Sequence, residues 1–201
     1  AGVTHAEPAA AKIKVACVGD SITFGSGIAD RENASYPAQL QKLLGEGFEV
    51  KNFGVSGRTM ISKSPSAWTN TQQYKDALAY QPDVVLIKLG TNDSKRREYK
   101  QRQNFDHDYS GAARLLIREF RNLPSKPTVW LMNPVPSFIR HGHSINGAFI
   151  EDDVLPQIKK IARLTRTPVI DLHSPFLNSP DLFPDKIHPN AAGAAEMAKI
   201  I

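Results

Sequence analysis

Ser21 stands in Gly19-Asp20-Ser21, directly after the apolar run Val15-Ala16-Cys17-Val18, and His188 stands far along the chain in Asp185-Lys186-Ile187-His188-Pro189. A serine hydroxyl is a poor nucleophile until a neighbouring base takes its proton. His188 is the base at hand, with Asp185 to fix its tautomer and stabilise the imidazolium. The reaction that needs this set is acyl transfer. Its tetrahedral intermediate carries negative charge on oxygen and requires donors already in place. Three are available: the Ser21 N–H, the Gly57 N–H in Asn52-Phe53-Gly54-Val55-Ser56-Gly57-Arg58-Thr59, and the side-chain amide of Asn92 in Gly90-Thr91-Asn92-Asp93. Gly57 lacks a Cβ and lets its backbone come close to a substrate.

Taken singly, each of these residues has an ordinary explanation. Gly, Asp and Ser are common turn residues, Gly57 suits any turn, and Asn92 suits an Asx-turn or a helix cap. Asp185 reads as a loop acid, and Pro189 holds His188 extended whatever its role. What separates the two readings is where the elements put them.

The hydrophobic pattern alternates strand and helix. Strands are expected at Ile13 to Val18, Phe48 to Val55, Val84 to Leu89, Thr128 to Met132 and Pro168 to Leu172. Helices are expected at Ser35 to Leu44, with Tyr36, Leu40, Leu43 and Leu44 on one face, and at Thr71 to Tyr80. Further helices fall at Phe105 to Asn122 and at Ala148 to Thr165, the latter kinked by Pro156 or ending near it. Asn190 caps a last helix to Ile201. Gly57 to Asn70, Pro136 to Gly147 and His173 to Pro189 read as loops. The fold class is therefore α/β: a doubly wound three-layer α/β/α sandwich of flavodoxin-like type around a five-stranded parallel sheet, in order 2-1-3-4-5. In such a sheet the loops after strands one, two, three and five open on the same edge, which gathers Ser21, Gly57, Asn92, Asp185 and His188 around one cleft.

Composition narrows the class. The chain has 201 residues, 41% hydrophobic and 22% charged, which suits a soluble globular unit. Residues 1–12 read as an N-terminal tail or linker and 13–201 as one domain. No stretch approaches the roughly 18 apolar residues of a membrane span. The lone Cys17 rules out an intramolecular disulfide and a thiolate zinc site, and its place in an apolar strand marks a buried thiol. The small-residue N-terminus leans toward export, to the periplasm or beyond the cell. The formal charge of +5 is concentrated in Ser94 to Arg102. Without interleaved aromatics this run reads as a solvated face, or as a cationic rim for an acidic substrate, and not as a nucleic-acid surface.

The blocks Gly19-Asp20-Ser21, Gly57, Gly90-Thr91-Asn92-Asp93 and Asp185-x-x-His188-Pro189, in that order, resemble the four sequence blocks of the SGNH hydrolases, also called GDSL esterases and lipases. The resemblance spans Val15 to His188. Ile22 replaces the family's usual leucine, and the absence of Gly-x-Ser-x-Gly around Ser21 argues against an α/β-hydrolase. The resemblance implies a serine hydrolase with Ser21, His188 and Asp185 as its triad, Ser21, Gly57 and Asn92 as its oxyanion hole, and no metal or organic cofactor.

The loops around the cleft are polar, so a short acyl group is expected, above all acetyl on a carbohydrate. Asp20, Arg58, Trp68 and Asp93 are candidate substrate contacts, Trp68 either stacking on a sugar ring or buried in a helix contact. His141 and His143, near Asp152 and Asp153, raise a metal question but show no matching ligand pattern. The expected partner is a small-molecule or glycan ester, and the oligomeric state is not legible. The competing readings are a lysophospholipase or thioesterase, an acyltransferase, and a non-catalytic carbohydrate-binding relative.

Overall fold

The computed structural model describes residues 10–95, 102–141 and 144–201. In chain order the elements are β1 (Ile13–Gly19), α1 (Ser21–Phe24), α2 (Arg31–Ala34), α3 (Tyr36–Leu44), β2 (Phe48–Gly54), α4 (Gln72–Ala79), β3 (Val84–Lys88) and α5 (Arg102–Arg121). After them come β4 (Thr128–Met132), α6 (Gly147–Phe149), α7 (Leu155–Thr165), β5 (Val169–Ile170) and α8 (Ala191–Ile200). The strands form one five-stranded parallel sheet in the order β2-β1-β3-β4-β5. The expected architecture and strand order are both found.

Each face of the sheet carries its own core. Ala16, Val18, Val85 and Ile87 pack with Tyr109, Leu116 and Phe120 of α5 and with Ile158 and Ile161 of α7. Val15, Cys17 and Leu86, from the same strands, pack on the other face with Tyr36 and Leu40 of α3 and with Ala194 and Met197 of α8. Burial on both faces explains why β1 and β3 read as near-continuous apolar runs. Burial also pushes the Cys17 thiol up to about 12, so it is not ionised near neutral pH.

Two local expectations differ from the structure, and a third, Pro156 near a helix end, is met. Leu43 is 59% exposed: the buried arc of α3 runs through Tyr36, Pro37 and Leu40, and Leu43 lies at its edge. β5 is two residues long, not five. Asp171 turns the chain out of the sheet by accepting the N–H groups of His173 and Ser174 and the Asn133 side-chain amide. Burial works against the charge on Asp171, but these hydrogen bonds outweigh it and bring the carboxyl down to about 2. Before α7 the chain forms a π-turn over Ile150–Val154, and Pro156 sits in the first turn of α7. A proline has no N–H and clashes with a carbonyl four residues back, and a widened turn relieves both.

The segment after Gly57 is not an open loop. Thr59 N–H donates to Ser66 and Trp68 N–H to Thr59, which closes 59–68 on itself. Trp68 is 1% exposed, stacks edge-on against Tyr74 at 5.7 Å, and donates its indole N–H to the Phe53 carbonyl at 2.9 Å. Trp68→Ala leaves a large cavity and an unpaired carbonyl, so urea denaturation should show a loss of about 3–5 kcal/mol.

Candidate active site

The site begins where β1 ends. Asp20 caps α1 by accepting the Ile22 N–H at 3.0 Å, so the cap is satisfied by the second amide of the helix and not by that of Ser21. The turn is pressed hard onto the sheet: a Cβ on Gly19 would lie 2.0 Å from Thr23 Oγ1 and 2.7 Å from the Lys88 carbonyl. Only glycine fits there, and its absence of a side chain brings Ser21 to the rim. Asn52 fastens the same turn to β2, donating to the Thr23 carbonyl and accepting from the Gly54 N–H.

Ser21 Oγ lies 2.8 Å from His188 Nε2, and His188 Nδ1 lies 2.5 Å from Asp185 Oδ2. The three side chains thus form one hydrogen-bonded chain. Asp185 also accepts the backbone N–H groups of Ile187 and His188 through Oδ1, at 2.9 and 2.6 Å. A carboxylate acceptor on Nδ1 requires a proton there, which leaves Nε2 to accept from the serine. Lys186, between them, adopts a left-handed backbone with φ +69°, and this bends the tetrapeptide so that acid and base face each other.

The expected anion donors come from two further loops. Ser21, Gly57 and Asn92 all line one cavity of about 250 Å³, together with Ser26, Ser56, Thr91, Lys95, Ser144, Ile145, Ile187 and His188. Gly57 has φ +77°, and no atom lies within 4 Å of where its Cβ would be. Its requirement is backbone conformation, not space. Asn92 Nδ2 donates one hydrogen to the Arg58 carbonyl at 3.0 Å. That bond fixes the amide against the Gly57 loop, and the amide has a second hydrogen to give. A hydroxyl–imidazole–carboxylate chain beside an amide, a free-standing glycine and a helix N-terminus can perform acyl transfer.

Three of the four candidate substrate contacts are corrected by burial. Trp68 belongs to the core and offers no face to a sugar. Asp20 is fully buried against Lys88. Asp93 is fully buried and accepts the N–H groups of Met60 and Ile61, each at 2.9 Å. Arg58 is half-buried and is not among the residues lining the cavity. Of the basic run, Lys95 reaches the cavity, whereas Arg96, Arg97 and Lys100 lie outside the described residues. His141 is exposed, and His143 lies outside the described residues. Among the described residues no three metal-ligating side chains are grouped, and no helix is long and apolar enough to cross a membrane.

Several contributors were missed. Ser94 Oγ donates to the Thr91 carbonyl and accepts the Asn146 N–H, which ties the loop carrying Ile145 to the one carrying Asn92. Phe138 N–H donates to the Lys186 carbonyl, tying that same long loop to the histidine turn. No pattern marks the Ser94–Asn146 and Phe138–Lys186 bonds, because each is made between loops distant in sequence. Lys88 was also passed over, although a lysine inside an apolar strand is itself a signal.

Residues 17–196 match the GDSL-like lipase/acylhydrolase family. An acetylxylan esterase of Xylanibacter ruminicola is 41% identical over 94% of this chain, and a multidomain esterase of Ruminococcus flavefaciens is 30% identical over 95%. The chain spans only 42% and 28% of the lengths of those two proteins. Among solved structures, a catalytic mutant of an acetylxylan esterase from Geobacillus stearothermophilus superposes with a TM-score of 0.71 at 23% identity, covering 94% of this chain and 92% of that one. At that identity the likeness speaks for the fold.

Burial opposes the charge on Asp185. The hydrogen bonds from His188 and from the Ile187 N–H outweigh it and hold the carboxyl below its ordinary range. The charged form therefore stabilises the fold above the unfolded value of about 3.9, and this contribution is lost as pH falls through the lower folded value. Denaturation midpoints of Asp185→Asn should fall less steeply with acidification below about pH 4 than those of the unaltered protein.

Proposed function

The chain belongs to the GDSL-like lipase/acylhydrolase family, and from that premise we propose that it is a serine esterase that removes short acyl groups, chiefly acetyl, from a carbohydrate. The observation that carries this reading is the Ser21–His188–Asp185 chain opening on a cavity of only about 250 Å³. Two isoleucines, Ile145 and Ile187, supply its apolar lining, and serines supply much of the rest. A methyl group is accommodated beside the isoleucines, while hydroxyls and Lys95 suit a polyhydroxylated alcohol. The acetylxylan esterase named above supports the same substrate class.

In this reading Ser21 Oγ attacks the ester carbonyl carbon while His188 Nε2 takes its proton. The carbonyl π pair moves onto oxygen, where the Ser21 and Gly57 N–H groups and the Asn92 amide receive it. Collapse breaks the bond to the alcohol oxygen, which leaves with the proton from His188. Water then enters by the same route, and acetate departs. Asp185 keeps His188 in the right tautomer throughout. Residues 13–201 form the hydrolase unit. Action on a polymer that does not enter cells would require export.

Ser21→Ala should lower hydrolysis of an aryl acetate by at least about 10³-fold, and full activity in that variant would overturn the assignment. In an acyl-length series, rates should drop steeply beyond about four carbons. Equal rates on decanoyl esters would favour a lysophospholipase or thioesterase. Acetate release from acetylated glycans then identifies the natural ester.

A further inference from the structure

Lys88 ends β3, opposite Gly19 in the sheet, and its side chain has no exposure. Taking an ammonium out of water costs several kcal/mol unless it is paired. Here it donates to Asp20 Oδ1 at 3.0 Å, to Asp20 Oδ2 at 3.1 Å and to Thr91 Oγ1 at 3.1 Å. An ammonium has three hydrogens, and three acceptor atoms receive them.

The acceptors lie on two different turns. Asp20 directly precedes Ser21 and caps its helix. Thr91 directly precedes Asn92, whose amide is held against the Gly57 loop. One buried cation therefore joins the turn presenting the hydroxyl to the turn presenting the amide. Burial draws the Lys88 pKa down, and the charges of Asp20 and then Asp93 act against that. Asp93 in turn holds the Met60 and Ile61 N–H groups, just beyond Gly57.

A buried ion pair is weak evidence for stability, because an apolar pair of similar volume often serves as well, so the charge here invites another explanation. We propose that Lys88 is a positioning residue for ester hydrolysis: by holding Asp20 and Thr91 together, its ammonium sets the Ser21 hydroxyl in register with the Asn92 amide. This rests on the esterase reading, and it adds a residue that touches no substrate.

The test uses Lys88→Met, the double variant Asp20→Asn with Lys88→Met, and Thr91→Val. Each is measured for kcat and KM on an aryl acetate, for urea denaturation, and for fluorophosphonate labelling of Ser21. Lys88→Met strands a buried carboxylate and loses both stability and activity. The double variant no longer strands the Asp20 carboxylate, so its denaturation midpoint recovers toward that of the unaltered protein. Its kcat nevertheless stays about 100-fold low with KM within about threefold, because a misplacement near 1 Å costs that much. Thr91→Val keeps the ion pair and cuts only the tie to the amide turn, and it lowers kcat about tenfold at unchanged KM. Recovery of full kcat in the double variant, or full kcat in Thr91→Val, overturns the proposal. Should the double variant not fold, Thr91→Val decides. If the unaltered protein neither labels at Ser21 nor cleaves any ester, the esterase reading fails first, independently of Lys88.

Discussion

A lysine ammonium with no access to water must find its counter-charge inside the protein, and the fold is arranged to supply it. The requirement reaches beyond one bond. β1 and β3 are apolar on both faces, so hydrophobic pattern alone specifies their pairing weakly. A shift of one residue would exchange one apolar face for another. With Lys88 opposite Gly19 and Asp20 one step further on, such a shift would leave a charge buried without its partner. The ion pair makes the correct register the only comfortable one. The Ser21 turn at the end of β1 and the Asn92 turn beyond β3 inherit their relative height from it.

The architecture was legible because it rests on periodicity and on chain direction. Five apolar runs alternating with helices leave a parallel sheet as the economical arrangement, and its topology puts Ser21, Gly57, Asn92 and the Asp185–His188 pair on one edge. Side-chain partnerships were less legible. Asp20 and Asp93 look like loop acids when only their neighbours are seen, and their burial against Lys88 and against the Met60 and Ile61 amides depends on chain brought in from elsewhere. Trp68 looked available for a sugar because its surroundings are polar in sequence. Its indole is turned inward by the closure of 59–68 and by the Phe53 carbonyl. Asp171 falls inside the strand expected at Pro168 to Leu172, because the hydrogen bonds that make β5 so short are not visible in an apolar pattern.

The walls of the cavity are held differently from its floor. The floor consists of strand ends and short turns pressed on the sheet, where nothing moves without disturbing the core. The walls are long loops tied by scattered bonds, among them Ser94 to Asn146, Phe138 to Lys186, and Ser26 Oγ to Ser56 Oγ at 2.9 Å. The proposed chemistry resides on the floor, and the shape offered to a substrate resides in the walls. Loops fastened at a few points can change sequence while the hydroxyl, imidazole and carboxylate stay in place.

The proposed acid and base occupy a single tetrapeptide, Asp185 to His188, in which the carboxylate accepts both the backbone N–H and the ring Nδ1–H of the histidine. The hydroxyl comes from the far end of the chain. In recombination between related genes, a crossover anywhere between residues 22 and 184 delivers the imidazole and its carboxylate as one inherited cassette. They are already oriented, whichever parent supplies the serine.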